Sequence, residues 1–385
     1  MDQKEIKELN IDLILSWLDV AERAPSGGNA QPWSVSIVEE SKLNLSKITL
    51  KIDQEYKKNP SMMDLDGAAS VMALGAFVET LDQVANLDGF KVNEIYFNHT
   101  DVYFDGVVEV LFSINGDSKE ISLEEKNKEI LNIKNRRTNR NIFLKKEIPK
   151  DFLIFLKQEA FKANIQITLI DEEREELISQ LSRLDKIRWQ YEKLRDSLFD
   201  EISLEMEKSL IGIPIHQLGL NVLDVFMFTL MKKIKFLRYL TRWGLSWVIQ
   251  KKSIVRPLRQ ASLFAYLSTS EQTYKSNFNL GRLFQKVWLE SQRREMGFQP
   301  FCGHLLAYYE LCEFKEYNLN LDQKKEINSV AEQFQNKWNL NLKNPLFGFR
   351  IGYPKKPGTL SPRKSILRSL RIKETSVAHQ AKKVI

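Results

Sequence analysis

The sequence predicts an α+β protein, because helical and strand patterns both recur along the chain. Apolar residues first appear at helical spacing, and two segments that alternate apolar and polar residues follow them. A long segment rich in alanine and glycine then has the composition of a buried helix. With 385 residues, of which 43% are hydrophobic, the chain is long enough to bury a sizeable core.

The spacing of apolar residues, a run of small residues and a capping motif predict the helices and strands of the amino-terminal part. The predicted order is a helix over 6–22, strands over 33–38 and 48–53, a helix over 65–86, strands over 93–98 and 106–114, and a helix ending near 135. Small residues between Gly67 and Ala76 let other elements approach closely, which favours a central position for the second helix. Ser122 and Glu125 have the spacing of a capping box at the start of the third helix.

The loop RAPSGGNAQPW, residues 23–33, is chemically unusual. Pro25 and Pro32 each fix φ and remove a backbone donor. Gly27 and Gly28 permit positive φ, and serine, asparagine and glutamine add short polar arms. Such a backbone suits a flat ligand, although a polar turn that only joins a helix to a strand has a similar composition.

A second stretch, NRRTNRNIF at 135–143, concentrates fixed positive charge. Arg136, Arg137 and Arg140 lie around Thr138. Guanidinium groups suit phosphate oxygens because they offer planar pairs of donors. The stretch therefore suggests a phosphate clamp, and the alternative is a solvated basic helix end that favours the helix dipole.

These two stretches resemble signatures of the nitroreductase-like FMN-dependent superfamily. The loop is similar to APSxxNxQPW, which in that family lies on the isoalloxazine ring and ribityl chain of an FMN bound mainly by the partner subunit. NRRTNRNIF is similar to RRSxR, which contacts the FMN phosphate and ribityl, and threonine keeps the hydroxyl of the family's serine. The resemblance implies FMN contacts at Pro25, Ser26, Gly27 and Asn29, and at Arg136, Thr138 and Arg140.

The order of the two signatures is inverted relative to the family, in which RRSxR comes first. An internal repeat accounts for the inversion, because a predicted helix over 151–161 and strand over 164–170 parallel the first helix and strand. The chain thus resembles the long single-chain Acg-like branch. That resemblance implies a fused pseudo-dimer with halves 1–120 and 121–385, antiparallel-dominated sheets packed by helices, and one composite FMN site.

A buried strand over 261–269 and the long helix that follows resemble another family element. The frame GxxxQxxxLxAxxxGLxxxP is matched at Gly281, Gln285, Leu289 and Pro300, and Gly297 lies two residues after the position of the frame's second glycine. The resemblance implies flavin-edge contacts at Gly297, Phe298 and Gln299, whereas a plain helix C-cap explains the first of these equally well.

The carboxyl-terminal end supplies the last match. A predicted strand over 346–354 is followed by LSPRKS at 360–365, which resembles the basic segment that completes the family's phosphate pocket. Arg363 is the best carried-over residue. Ser361 stands where the family often has lysine. The basic tail over 355–385 is expected to fray towards its end.

The middle of the chain is predicted to carry a helical lid insertion over about 203–260. Nine cations and no acidic residue lie between Asp224 and Glu271. A lid over the flavin, peripheral membrane contact through 226–259 and nucleic-acid binding are the open interpretations. We predict no nucleic-acid partner, since no such motif is present, and no membrane span, since charges interrupt every apolar run. Upstream of this segment, Arg174, Arg183, Arg188 and Arg195 are expected on solvated faces.

Composition sets the remaining limits. The net charge of +7 favours anionic ligands. Two cysteines and no visible signal peptide predict a reducing, cytoplasmic location. Cys302, His304 and Cys312 do not have the spacing of a zinc site and are better explained as core residues, so no metal is predicted.

The resemblance implies an NAD(P)H-dependent FMN oxidoreductase with a ping-pong reaction and a small organic acceptor, nitroaromatic or quinone-like. No side chain is expected to do covalent chemistry. The leading alternative is a stress-related protein that sequesters FMN with little or no turnover. A peripheral membrane or interaction module is the third possibility. A monomeric pseudo-dimer or a weak homo-oligomer is expected.

Overall fold

The computed structural model describes most of the chain. The described residues are 9–40, 45–58, 60, 61, 64, 67–98, 105–116, 121–204, 210–243, 245–313, 319–366 and 370–374. The first turns of the predicted helix over 6–22 and the start of the one over 65–86 fall partly outside them.

The amino-terminal half contains three helices and one sheet among its described residues. Its elements are α1 (Ile11–Ala21), β1 (Trp33–Glu40), β2 (Leu45–Ile52), α2 (Gln54–Lys58), α3 (Ala68–Leu87), β3 (Phe90–Asn98) and β4 (Val107–Ile114). The four strands pair antiparallel in the order β1-β2-β4-β3. Asn10 caps α1 by accepting a hydrogen bond from the Leu13 amide, which fixes the start of that helix.

The rest of the chain adds a second large sheet, a small two-stranded parallel sheet and most of the helices. Its elements are α4 (Leu123–Lys134), β5 (Phe143–Leu144), α5 (Lys150–Lys162), β6 (Gln166–Leu169), α6 (Arg174–Gln190), α7 (Glu192–Glu201), β7 (Ile202–Ser203), β8 (Ile213–Pro214), α8 (Val222–Lys233), α9 (Leu245–Gln250), α10 (Arg256–Arg259), β9 (Leu263–Ser268), α11 (Tyr274–Arg293), β10 (Gly297–Pro300), α12 (Gly303–Glu313), α13 (Leu321–Trp338), β11 (Leu346–Pro354) and β12 (Arg371–Glu374). A 3-10 segment, Lys235–Trp243, joins α8 to α9, and a π-helical turn, Lys251–Val255, joins α9 to α10. The capping box predicted from Ser122 and Glu125 is present at α4.

The two sheets repeat one strand order along the chain. The first runs β1-β2-β4-β3 and the second β6-β9-β11-β10, and the strands within each of these runs pair antiparallel. In both cases a helix of 20 residues, α3 or α11, connects the second strand to the third. The prediction of an α+β fold with antiparallel-dominated sheets is therefore confirmed.

Helices α3 and α11 cross at the centre of the molecule with their backbones in contact. A Cβ added to Gly75 would lie 2.0 Å from the Phe278 carbonyl oxygen, and one added to Gly281 would lie 2.0 Å from that of Met72. The glycines are needed because a side chain at either position would separate the helices. Two apolar cores meet at this crossing, and each combines residues of one sheet with residues of the helices packed on it.

Helices α6 to α10 lie in the connection between β6 and β9, and we call this helical segment, which starts at Arg174, the insertion. Its helices α6 and α7 pack into an apolar cluster with α12 and α13. The prediction that Arg188 and Arg195 lie on solvated faces is wrong. Both are buried, and each forms an ion pair with an aspartate, Asp185 and Asp196 respectively.

The carboxyl-terminal segment returns to the first half instead of fraying where it is described. Ile366 is buried in the first core, and β12 pairs parallel with β1, with Arg371 opposite Ser36. The expectation that the tail beyond the LSPRKS segment frays is therefore wrong for Ile366, which is buried, and for residues 371–374, which pair with β1. Among the described residues, no helix is long and apolar enough to cross a membrane.

Candidate functional site

The loop after α1 is held in a strained conformation. Gly28, Asn29 and Gln31 have φ values of +56°, +57° and +52°. Residues other than glycine rarely adopt this left-handed backbone region, and two of the three, Asn29 and Gln31, are not glycine. Contacts from elsewhere in the chain are therefore needed to hold the loop. The loop contains the predicted contacts Pro25, Ser26, Gly27 and Asn29.

Gln31 ties the loop to two distant parts of the chain. Its Nε2 donates to the Leu210 carbonyl at 2.6 Å, and its Oε1 accepts from the Lys364 amide at 2.8 Å. Within the loop, the Gln31 amide donates to Ser26 Oγ at 2.9 Å. The insertion and the carboxyl-terminal segment therefore both fix the loop. Gln31 was not among the predicted site residues, although it belongs to the APSxxNxQPW pattern.

Arg363 braces the junction between α1 and the loop. Its guanidinium donates to the Glu22 carbonyl at 3.0 Å, to the Ala24 carbonyl at 3.2 Å and to Asn29 Oδ1. Burial and the neighbouring cation of Arg23 lower the pKa of Arg363 to about 9. Arg363 thus lies beside the loop, and most of its donors are used by the protein itself.

Arg136 is almost completely buried, at 3% exposure. Its Nη2 donates to the Arg23 carbonyl at 2.8 Å, and its guanidinium lies 4.3 Å from the ring centroid of Trp288. Its Nε is buried with no hydrogen-bond partner among the described residues. Burial, followed by repulsion from Arg363 and Arg23, lowers the pKa of Arg136 well below its usual value.

Arg140 and Arg137 add further positive charge close to Arg136 in the sequence. Arg140 donates to the Gln217 carbonyl at 3.2 Å, and burial lowers the pKa of Arg140 to about 10. Arg137 donates to the Gly358 carbonyl at 3.4 Å. Thr138 lies between them, and its backbone bridges to Phe298 of β10.

These residues enclose a cavity of about 130 Å³ between the two halves, which we call the arginine cavity. The predicted residues that line it are Pro25, Ser26, Gly27, Asn29, Arg136, Thr138, Arg140, Ser361 and Arg363. Arg137 also lines it, and no acidic side chain is found among its described lining residues. The structure therefore brings the loop, the clamp and the carboxyl-terminal segment together, although they are far apart in sequence.

Three predicted residues, Gly297, Phe298 and Gln299, do not line the arginine cavity. Gly297 starts β10 and lies under the Phe143 ring. The interpretation of Gly297 as the C-cap of α11 is wrong, because the helix ends at Arg293 and its C-cap is Arg294. Gln299 accepts a hydrogen bond from Arg350 Nε at 2.6 Å. The strand contributes Pro300 to the lining instead.

Several lining residues were missed. Phe284 and Trp288 project from α11 on the buried face that also carries Gln285, so helical spacing could have found them. Gln217 comes from the insertion: its Nε2 donates to the Leu360 carbonyl at 2.8 Å, and its Oε1 accepts from Ser361 Oγ at 3.0 Å. No local pattern marks Gln217, because only the folded insertion brings it to the site.

A second, larger cavity of about 300 Å³ adjoins the first and shares Ser26 and Arg140 with it. Two buried carboxyl groups line it, those of Asp64 and Glu201, and burial raises the pKa of each. The Glu201 carboxyl accepts from Ser61 Oγ, and its carbon is 3.4 Å from the position of a Cβ built on Gly28. This second cavity therefore combines apolar walls with groups that can donate or accept hydrogen bonds.

The three residues considered for zinc lie in different environments. Cys302 is half-buried and its Sγ donates to the Gly348 carbonyl, whereas Cys312 is exposed, so the core assignment of Cys312 is wrong. His304 is buried, and its Nε2 lies 3.5 Å from Asp185 Oδ1. Within the described residues, no group of three or more His, Cys, Asp or Glu side chains is arranged to hold a metal ion.

Comparison with known proteins gives one distant relative and no family. No family model matches the sequence. An uncharacterized protein of Mycobacterium tuberculosis (strain CDC 1551 / Oshkosh) is 23% identical over 281 residues, which are 72% of this chain. The match covers 37% of the mycobacterial protein, so the chain spans well under two thirds of that relative's length.

Proposed function

We propose that the chain binds FMN in the arginine cavity and acts as a nitroreductase-like oxidoreductase that takes electrons from NAD(P)H. The acceptor would be a small organic molecule, nitroaromatic or quinone-like. One observation carries the proposal: Arg136, Arg137, Arg140 and Arg363 line one cavity in which no described lining residue is acidic. Buried cations that repel one another favour an anionic ligand, since its charge would offset both burial and repulsion.

The residues present fit FMN in two respects. The buried, unpartnered Nε of Arg136 is a donor suited to a phosphate oxygen. Phe284 and Trp288 add aromatic surface to the same cavity, and Pro25, Ser26, Gly27 and Asn29 of the loop also line it. A ligand with an anionic end and a planar, largely apolar end would use both kinds of surface.

Each group has a separate expected role. Arg136, Arg140 and Thr138 would hold the phosphate, with Ser361 beside them. The loop over 25–29 would lie against the flavin ring. Arg363 would act as a positioning residue, because it fixes Asn29 and the end of α1. Bound FMN would supply the redox chemistry between NAD(P)H and the acceptor, so no side chain needs to react covalently.

The repeated topology supports the further proposal that the chain is a fused pseudo-dimer of two nitroreductase-like halves, as in the Acg-like branch. The strand order occurs twice, and so does the long helix that connects the second strand to the third. Each of these helices, α3 and α11, contributes one glycine to the crossing between them. Residues 1–120 supply the loop and 121–385 the arginines. This division supports one composite FMN site per chain, with the insertion as a lid.

A second candidate function, FMN sequestration without turnover, is favoured by one specific observation. The insertion covers the loop: Leu210 accepts hydrogen bonds from the Asn29 and Gln31 side chains, and Gln217 binds the segment around Ser361. Such closure would retain a bound flavin. It would also hinder the entry of NAD(P)H.

The visible spectrum of the purified protein tests both candidates. A yellow protein that bleaches when NADH or NADPH is added without oxygen supports the reductase. A yellow protein that does not bleach supports sequestration and contradicts the reductase. A colourless protein that cannot be reconstituted with FMN contradicts both.

A further inference from the structure

The insertion exposes an unusual amount of apolar surface. Large hydrophobic side chains are exposed along α8, the 3-10 segment and α9, with Phe226 62% exposed, Phe236 75% and Trp247 63%. We call this the outer surface of the insertion, made of Val222, Leu223, Phe226, Met227, Ile234, Phe236, Leu240, Trp247 and Val248. Scattered exposed hydrophobics are normal, but a concentration on consecutive elements marks an interaction surface.

The three elements share one inner side, so their outer residues face away from the same core. Phe228 and Met231 of α8, Leu237 of the 3-10 segment, and Leu245 and Ile249 of α9 pack in one cluster. Helix α8 is therefore apolar on its inner and its outer side. A surface helix normally places polar residues outward, and this one does not.

The same segment carries positive charge that is not neutralised by described residues. Lys233, Lys235, Lys251 and Arg256 are exposed, and no ion pair joins them to another described residue. Lys251 lies 5.3 Å from the ring centroid of Trp247. The outer surface thus combines aromatic and aliphatic side chains with free cations.

We infer that the outer surface of the insertion docks on an anionic lipid bilayer. Aliphatic and aromatic side chains can enter the headgroup boundary, while the cations contact lipid phosphates. A second copy of the chain is a poorer occupant, because a two-fold interface would bring these cations towards their own copies. The inference does not depend on FMN, so its failure and that of the proposed function are distinguishable.

Vesicle flotation with the full-length protein tests the inference. The protein should float with phosphatidylcholine vesicles that contain phosphatidylglycerol, and much less with phosphatidylcholine alone. The double variant Lys233→Gln, Lys235→Gln should bind the anionic vesicles about 30-fold more weakly, at roughly fivefold for each cation. Phe226→Ser with Phe236→Ser should also weaken binding, because the apolar contact is lost.

Matched variants on α5 provide the controls. Lys150→Gln with Lys157→Gln removes two exposed charges there, and Phe161→Ser removes a phenylalanine that is 86% exposed. Neither should alter vesicle binding. Equal binding to neutral and anionic vesicles, no binding, or equal losses in the control variants would overturn the inference. So would light scattering that shows a stable dimer whose formation blocks vesicle binding.

Discussion

Arg136 shows how the protein holds a buried cation without a carboxylate. A carbonyl oxygen and the Trp288 ring face its guanidinium, and Arg363 and Arg23 act on it as like charges. These contacts orient the side chain but do not neutralise it. A phosphate group would supply the missing negative charge, which is why the FMN proposal depends on this residue.

The variant Arg136→Gln is expected to weaken FMN binding by about 10- to 100-fold, the range that a lost charged hydrogen bond gives. The dissociation constant can be measured by quenching of flavin fluorescence. Arg350→Gln is the matched control, because Arg350 is also buried but does not line the arginine cavity. Its donors face Gln299 Oε1 and the carbonyls of Pro257 and Asn141.

The control should lose about 2 kcal/mol of unfolding free energy while its FMN affinity changes by less than about threefold. An unchanged affinity in a folded Arg136→Gln protein would remove this residue from the phosphate site.

His304 makes the folded protein sensitive to acid. The pKa of His304 is lowered to about 4, mainly by burial; Asp185 opposes this shift, and Arg188 adds a smaller lowering. The unfolded chain therefore binds a proton here near pH 6.5, whereas the folded chain does not until about pH 4. Neutral His304 therefore contributes about 3 kcal/mol to the unfolding free energy above pH 6.5. This contribution is lost as the pH falls towards 4.

His304→Gln should reduce that acid-dependent loss, because glutamine does not titrate. The check is urea denaturation of both proteins at several pH values, with the difference in unfolding free energy plotted against pH. A difference that stays constant through this range would show that His304 does not titrate as described.

At the scale of elements, the crossing of α3 and α11 leaves no space for a side chain at either of its two glycines. Gly75→Ala or Gly281→Ala would place a methyl group 2.0 Å from a backbone oxygen of the opposite helix. Each substitution should cost about 3 kcal/mol of unfolding free energy, because two helices and not a flexible side chain must move. Gly116→Ala is the control, since no atom lies within 4 Å of its added Cβ. A loss below about 1 kcal/mol in both crossing variants would mean that the helices are not in backbone contact.

Local sequence patterns predicted which helices and strands are present. They predicted less well where α11 ends and what the carboxyl-terminal tail does. The capping box at Ser122 and the buried strand before α11 depend on nearby residues, and both are present. Gly297 was misplaced because a glycine after a helix suits a C-cap and a strand start alike. The tail was expected to fray because its composition is polar, yet strand pairing with β1 holds its described end.

The site was predictable only where residue type and spacing carried its chemistry. The arginines around Thr138 and the proline- and glycine-rich loop could be found from sequence, and the structure brings them to one cavity. Gln217 and Glu201 could not, since the folding of the insertion alone places them there. The burial of Arg195 was missed for the same reason.

At the scale of the whole molecule, the proposed fusion of two nitroreductase-like halves would account for the inverted order of the two signatures. The first half carries the loop and the second carries the arginines, and the two meet in a single cavity. In a symmetric dimer of separate subunits, each interface would hold two such sites. Fusion of the halves, followed by loss of one loop and one clamp, would leave one.

Calorimetric titration of the cofactor-free protein with FMN tests this account most directly. We expect saturation at one FMN per chain, with the protein still monomeric by light scattering. Binding of two FMN molecules per chain, of one per two chains, or of none at all would contradict a single composite site.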